Sequence, residues 1–411
     1  MTLPLPRKPV FVFLCACALA SPARAQSTSE DPVETARVQV GPLGLTPTFA
    51  LTNLGVDSNV FNTFEDPKKD FTFTISPGAD LFFRAGPSRL AVVSRADLVY
   101  FKQYSSERSL DGDFDGRWEI RWNRLTPWVA AGYTSGRQRF GYEIDARSRR
   151  EVKDYAAGVE LRVASKTRIA ANAQRTSYWY DPDAVFSGSR LQQALNRETG
   201  IYGVQYRQAL TVLTTFVVRG ETMRDTFEFS PERDAKGIRL VAGFDFDDRA
   251  LLGGRARVGY RRYTNDSGAV QDFSGLVASY GVAMTLAGRT RLEVSGERDI
   301  THSYQFEYPY YVLTGVMFTG TPRLTDRWDL QGRVGIQRLA YETYVAASAD
   351  PGAAVLPGRT DTYRTFGGGI GFHAGRDLRI GFNVDRQRRT SPLQARDYEG
   401  YRIGTSITYG R

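Results

Sequence analysis

Several groups of side chains have the composition that chemistry requires. In LGVDSNVF, residues 54–61, Asp57 and Asn59 are followed closely by Glu65 and Asp66. Such a density of oxygen atoms would suit a calcium loop or a pair of catalytic carboxylates. His302-Ser303, in THSYQ, joins an imidazole to a hydroxyl inside a long polar segment; a serine hydrolase would need that imidazole as base and a third group to orient it. Asp181 with Asp183, and Asp299, offer further carboxylates. Arg255, Arg257 and Arg261 place three guanidinium groups at alternate positions of one segment, the spacing of an anion-attracting strip.

Most of these readings fail on spacing. A calcium loop requires ligands at regular intervals around a central glycine, whereas Asn62 stands where glycine should be and Val60 and Phe61 intervene. Asp57 and Asn59 read instead as short polar side chains stabilising a turn. His302 lies beside tyrosines and reads as ordinary loop surface; His373, next to Ala374-Gly375, reads as a residue of a membrane interface. Those two are the only histidines, and the only cysteines are Cys15 and Cys17, so a histidine-rich metal site, a disulfide framework and a cysteine nucleophile are all disfavoured. No catalytic, cofactor or metal residue is assigned, and the chain is expected not to be an enzyme.

The elements that must position these residues begin after a leader. Arg7 and Lys8, an apolar run from Val10 to Ala20, and Ala23-Arg24-Ala25 before Gln26 form the three-part layout of a secretory signal peptide over residues 1–25. A competing lipobox reading of Leu14-Cys15-Ala16-Cys17 would acylate Cys17 but leaves a short apolar core. Residues 26–44 are polar and read as a flexible periplasmic lead, with the main domain at 45–411. Removing Arg7, Lys8 and Arg24 from a formal charge of +9 leaves +6, too modest for a nucleic-acid partner.

No later segment approaches the ~18 consecutive apolar residues of a spanning helix. Any crossing of a membrane is therefore by strands. The chain repeats one theme: about ten residues of alternating apolar and polar side chains, then a turn. Leu378, Ile380, Phe382 and Val384 interleave with Arg379, Gly381, Asn383 and Asp385; Phe114, Trp118, Ile120 and Trp122 interleave with Arg117, Glu119 and Arg121. One face wants hydrocarbon and the other wants water. About 18 such segments (16 to 18) are expected, joined by connections that alternate short and long, from Gly86-Pro87-Ser88 and Asn123-Arg124 to 135–151 and 180–198. This predicts an all-β, antiparallel, up-and-down transmembrane β-barrel with short periplasmic turns and long extracellular loops. Pro77 and Pro127 strain the reading, since a closed barrel has no free edge; Gly78 suggests a bulge at the first, and Pro127 a strand start.

On the water-facing side, Arg117, Glu119, Arg121, Glu293, Arg333, Arg379 and Asp385 are expected to form wall charges paired across strands. Arg255, Arg257 and Arg261 have no acid between them and are expected to form a basic track favouring anionic solutes or acidic sugars.

A polar lead, a first strand ending in Asp-x-Asn-Val-Phe, and then FTFTISPGADLFFRAGPSRLAVV resemble the putative beta-barrel porin type 2 family. The resemblance implies an outer-membrane barrel of a Gram-negative envelope, with porin-like transport of small hydrophilic or saccharide solutes or a place in extracellular polysaccharide export. It implies no catalytic residues and no cofactors. Expected partners are outer-membrane lipid and lipopolysaccharide, the barrel-assembly machinery and polysaccharide-export components. The chain ends in Gly410-Arg411, so Tyr409 is expected to stand in for the terminal aromatic of the assembly signal. A non-conducting barrel that displays its loops is the alternative.

Overall fold

A computed structural model describes residues 33–268, 270–341, 344–345, 355–356 and 358–410. The expected signal peptide and the start of the expected polar lead lie outside the described residues. Alternation of side chains produces eighteen long strands. They are β1 Leu43–Asp57, β2 Asp70–Ala85, β3 Ser88–Phe101, β4 Ser109–Ile120, β5 Leu125–Gln138 and β6 Ser148–Arg162. The middle third comprises β7 Thr167–Tyr180, β8 Arg197–Ala209, β9 Thr214–Phe227, β10 Ala235–Phe246, β11 Leu252–Asn265 and β12 Phe273–Leu286. The remainder are β13 Thr290–His302, β14 Tyr310–Pro322, β15 Trp328–Tyr341, β16 Arg359–Ala374, β17 Leu378–Thr390 and β18 Tyr398–Tyr409.

Each strand pairs antiparallel with its chain neighbour, and β18 returns to β1 from Phe49↔Tyr409 to Asp57↔Arg402. The ring is therefore closed, which is how an antiparallel sheet removes its edges. Eighteen strands about 4.8 Å apart and tilted by ~40° enclose a cylinder on the order of 35 Å across. A short strand, Val38–Val40, pairs with the first residues of β1, and Arg37 reaches Asp377 at 2.7 Å across the short-turn rim.

Short and long connections alternate as expected. Two short ones use positive-φ glycines, Gly86 (56°) and Gly288 (66°), where a tight reversal demands that conformation. Trp118, Val204, Leu240, Val258 and Phe382 are exposed on the outer face. Large apolar side chains turned outward all round a closed sheet describe a surface solvated by hydrocarbon.

Both prolines find a physical place. Pro127 lies just beyond Glu119↔Trp128, where the β4–β5 ladder ends, so no neighbour on that side lacks a donor. Pro77 falls in a gap of the β2–β3 ladder between Ile75↔Leu98 and Gly78↔Arg95. The bulge is on the adjacent strand instead: β1 shifts register between Leu51 and Leu54, with Asn53 at φ 54°.

Candidate functional site: the lumen and its long-loop mouth

Inward-facing charges are paired, some along one strand and some between strands. At the short-turn end Glu119 accepts from Arg121 at 2.8 Å and Arg117 at 3.4 Å, and Arg117 also lies over the Trp128 ring. Arg379 grips Asp329 with two hydrogen bonds of 2.8 and 2.7 Å, and His373 Nε2 lies 2.5 Å from the same carboxylate. His373 therefore faces inward and is not a membrane-interface residue: on β16 it has the same parity as the inward Asp361. Arg333 donates to Asp385 at 2.8 Å, and Arg291 approaches Glu293 at 3.8 Å.

Arg255, Arg257 and Arg261 share one face of β11, yet they do not make a bare cationic strip. Arg257 pairs with Asp245 of β10, and Arg261 donates to Asp299 of β13 at 2.7 Å, alongside Arg239. Arg255 alone of the three is exposed. The segment itself has no acid because the acids come from other strands, β10 and β13.

The long-loop end is where the structure departs furthest from a plain tube. The β5–β6 loop, residues 139–147, meets the β13–β14 loop, although β5 and β13 stand eight places apart in the ring of 18 and so nearly face each other. Glu143 accepts hydrogen bonds from Ser303 Oγ at 2.6 Å, Tyr341 Oη at 2.9 Å and the Tyr304 amide at 3.2 Å. Arg389 of β17 donates to the Tyr142 and Glu143 carbonyls and to Asp145 at 2.9, 3.1 and 3.0 Å, and also to Asp361. Arg396, from the β17–β18 loop, reaches Asp145 at 3.1 Å and Tyr304 Oη at 2.8 Å. Arg233 of the β9–β10 loop donates to the carbonyls of Ala194, Ser303 and Pro309 at 2.6–2.8 Å. Five loops are thus knotted across the mouth by buried arginines donating from their terminal nitrogens to carboxylates and carbonyls, which offsets part of the cost of burying a guanidinium.

Apolar packing backs the knot. Phe140 and Ile144 pack with Tyr180, the short helix α1 Leu191–Leu195 and Tyr304. The tip of the β13–β14 hairpin bends inward: the β12–β13 ladder stops at Ala278↔Arg298, leaving Phe273–Val277 of β12 unpaired on that side. Tyr310 through Leu313 are then buried on both faces. Ile300, Tyr310 and Val312 pack on Tyr263, Phe273 and Val277, while Tyr311 and Leu313 pack with Leu339, Tyr341 and Tyr142. The run YYVL, which breaks the alternation of every neighbouring strand, is the sequence signal for this.

The residues first weighed for chemistry take structural roles here. Ser303 donates to Glu143, and His302 Nε2 lies 3.2 Å from Asp225, so hydroxyl and imidazole have separate partners and no nucleophile–base pair forms. His302 is part-buried rather than loop surface, because the inbent hairpin carries it inside. Among the described residues no group of three or more His, Cys, Asp or Glu could hold a metal ion.

Burial pushes the Glu143 carboxyl above the ordinary carboxylate range, against the hydrogen bonds from Ser303 and Tyr341 and the Arg396 charge. Asp145 is raised by the same cause in spite of Arg389 and Arg396. A raised pKa means that the knotted state binds protons more tightly than an unknotted, hydrated one. Closure is therefore favoured at low pH and weakens as pH rises through the raised values. Single-channel conductance in planar bilayers should increase from acid to neutral pH at constant salt, and Glu143→Gln should flatten that dependence; a parent conductance that is level or falls with pH contradicts it.

A family model described as Putative beta-barrel porin 2 matches residues 31–411. No curated protein matches the chain. Among solved structures, it is similar to a BenF-like porin from Pseudomonas fluorescens Pf-5 at 10% identity, over 90% of this chain and 98% of that one, with TM-score 0.49. It is also similar to the siderophore receptor PirA from Pseudomonas aeruginosa (11% identity, 89% and 79% covered, TM-score 0.40). The FrpB iron transporter from Neisseria meningitidis is a further match (9% identity, 85% and 64% covered, TM-score 0.44).

Proposed function

The chain belongs to the Putative beta-barrel porin 2 family of outer-membrane β-barrels, and from that premise we propose that it is a gated channel for small hydrophilic or saccharide solutes. The observation that carries this reading is the inner wall: a closed ring of strands whose inward face bears paired charges such as Arg117–Glu119, Arg333–Asp385 and Arg379–Asp329. A wall of neutralised pairs presents many hydrogen-bonding groups and little net field. That suits neutral or mixed-charge saccharides better than strong selection of one ion. The paired state of Arg257 and Arg261 points the same way and replaces anion preference along β11 with a ladder that stiffens the wall. A non-enzymatic role accords with the family and with the separate partners of Ser303 and His302.

Passage then depends on the knot, since five loops must part for a solute to cross. A link to export of extracellular polysaccharide is the more specific form of the proposal. Reconstituted protein should show a mostly closed level with discrete openings in planar bilayers, and neutral oligosaccharides should reduce the open current. A folded, heat-modifiable barrel that stays silent across pH 4–8 overturns the channel reading and favours the alternative that the buried knot also suits, a non-conducting barrel that displays its loops.

A further inference from the structure

On the outer face of β7 to β11, strand register brings cations into a row. Arg175 of β7 lies opposite Gly200 of β8, Gly200 opposite Arg224 of β9, and Arg224 opposite Lys236 of β10. Adjacent strands lie about 4.8 Å apart, so the row is compact. Arg262 of β11 joins it one outward position lower, opposite Ile238. Arg175, Arg224 and Lys236 have side chains 66–70% exposed. Two acids accompany them: Glu198 pairs with Arg175 at 2.5 Å, and Asp266 approaches Lys236 at 3.3 Å and Arg224 at 3.6 Å. Exposed pairs of this kind are worth at most about 1 kcal/mol, and the patch keeps an excess of positive charge.

Directly membrane-ward of the row, the same strands form an apolar groove. Ala173, Tyr202, Thr222 and Ile238 are mutually opposite in the next outward rank, and Ala171, Val204, Gly220, Leu240 and Tyr260 in the one below. The small side chains of Ala171, Ala173 and Gly220 sink the floor between Tyr202, Leu240 and Tyr260, leaving a cavity of about 990 Å³. It is an open depression in the outer wall rather than an enclosed pocket, wide enough for an acyl chain laid against the strands.

Long loops are extracellular in outer-membrane barrels, so the cation row sits at the headgroup level of the outer leaflet with the groove at acyl-chain depth. We propose that this face binds a phosphorylated, acylated glycolipid of the outer leaflet, its phosphates on Arg224, Lys236 and Arg262 and an acyl chain in the groove. The juxtaposition selects the occupant: a cation row alone would suit any anion and a groove alone any chain, but the two in register require a lipid with an anionic head. Phosphate oxygens accept charge-assisted hydrogen bonds from these side chains and compete with Asp266 for them.

The test uses full-length barrel in detergent and hexa-acyl bisphosphoryl lipid A as probe, with bound lipid counted by native mass spectrometry. Parent protein should retain lipid A. The triple variant Arg224→Gln/Lys236→Gln/Arg262→Gln should lose at least tenfold in occupancy, and Gly220→Leu, which fills the groove, at least fivefold. Arg298→Gln/Arg338→Gln, on outward positions of β13 and β15 without that groove, should stay within twofold. Heat-modifiable migration confirms that each variant is folded, and the readout is independent of conduction. The proposal is overturned if the triple variant retains lipid A like the parent, if dephosphorylated lipid A or phosphatidylglycerol binds equally well, or if Gly220→Leu converts an oligomer to a monomer without altering lipid content. That last outcome would make the face a contact between copies of this chain.

Discussion

Replacing Arg389 with alanine is expected to open the mouth. Its side chain is 1% exposed and joins strand β17 to the β5–β6 loop through two carbonyls and Asp145, and to Asp361, which is fully buried. Removing one partner from a buried ionic network typically costs ~3–5 kcal/mol, because the remaining charges are left without compensation. Asp361 and Asp145 can recover that cost only by hydration, which requires the loops to part. The ratio of closed to open states should thus fall by roughly two to three and a half orders of magnitude at 1.4 kcal/mol per factor of ten. Arg389→Ala should convert brief openings into sustained conductance, and trypsin should cut at Arg139 or Arg147 in folded protein. Arg389→Lys keeps the charge but loses the fork that reaches two carboxylates at once, so an intermediate phenotype is expected. Parent-like closed levels together with parent-like trypsin resistance would remove the knot from any account of gating.

The wall of the barrel was legible in the sequence because its information is local. Period-two alternation and the alternation of connection lengths both act over ten to twenty residues, and every expected segment, from the one near residue 45 to the one near 400, corresponds to a long strand. Pro127 could be placed at a strand start for the same reason, since the missing donor matters only to one adjacent ladder.

What could not be read was lateral or long-range. Arg257 has no acid along β11, but its partner Asp245 is twelve residues away on β10, a relation fixed by register rather than by pattern. The knot is more distant still: Glu143 and Ser303 are 160 residues apart, and nothing in their loops marks the partner. Polar loop composition is equally consistent with solvated tips and with a network satisfied inside the mouth, because both satisfy hydrogen bonds. Burial decides between them, and burial depends on where the opposite wall stands. Only the YYVL run carried a local signal, four consecutive residues with no polar face.

Asp57→Ala with Asn59→Ala is expected to weaken closure of the ring itself. Both hold the seam between the first and last strands. Asp57 accepts from Arg402 of β18 at 2.9 Å and from the Asn59 amide at 3.0 Å. Asn59, 1% exposed, donates from Nδ2 to the carbonyls of Thr63 at 2.9 Å and Glu399 at 3.0 Å, and accepts the Thr63 amide on Oδ1 at 3.0 Å. The Glu399 bond is the notable one, because it ties the first long loop to the start of β18. Every other strand pair in the ring is joined by a connection of the chain, whereas β1 and β18 have none, and their ladder is broken by the bulge at Leu51–Leu54, so these side-chain ties carry more of the seam. Losing Asn59 leaves buried partners unsatisfied, ~1–3 kcal/mol, and losing Asp57 costs a similar amount. Since Asp57 accepts the Asn59 amide and the two side chains hold the same turn, their sum should fall short of additivity. Urea unfolding in lipid vesicles should show a lower midpoint for each single variant and a lower one still for the pair, with the seam the first region to exchange amide hydrogens. A double variant that unfolds at the parent's midpoint would mean that the ladder and lateral pressure of the membrane close the ring unaided.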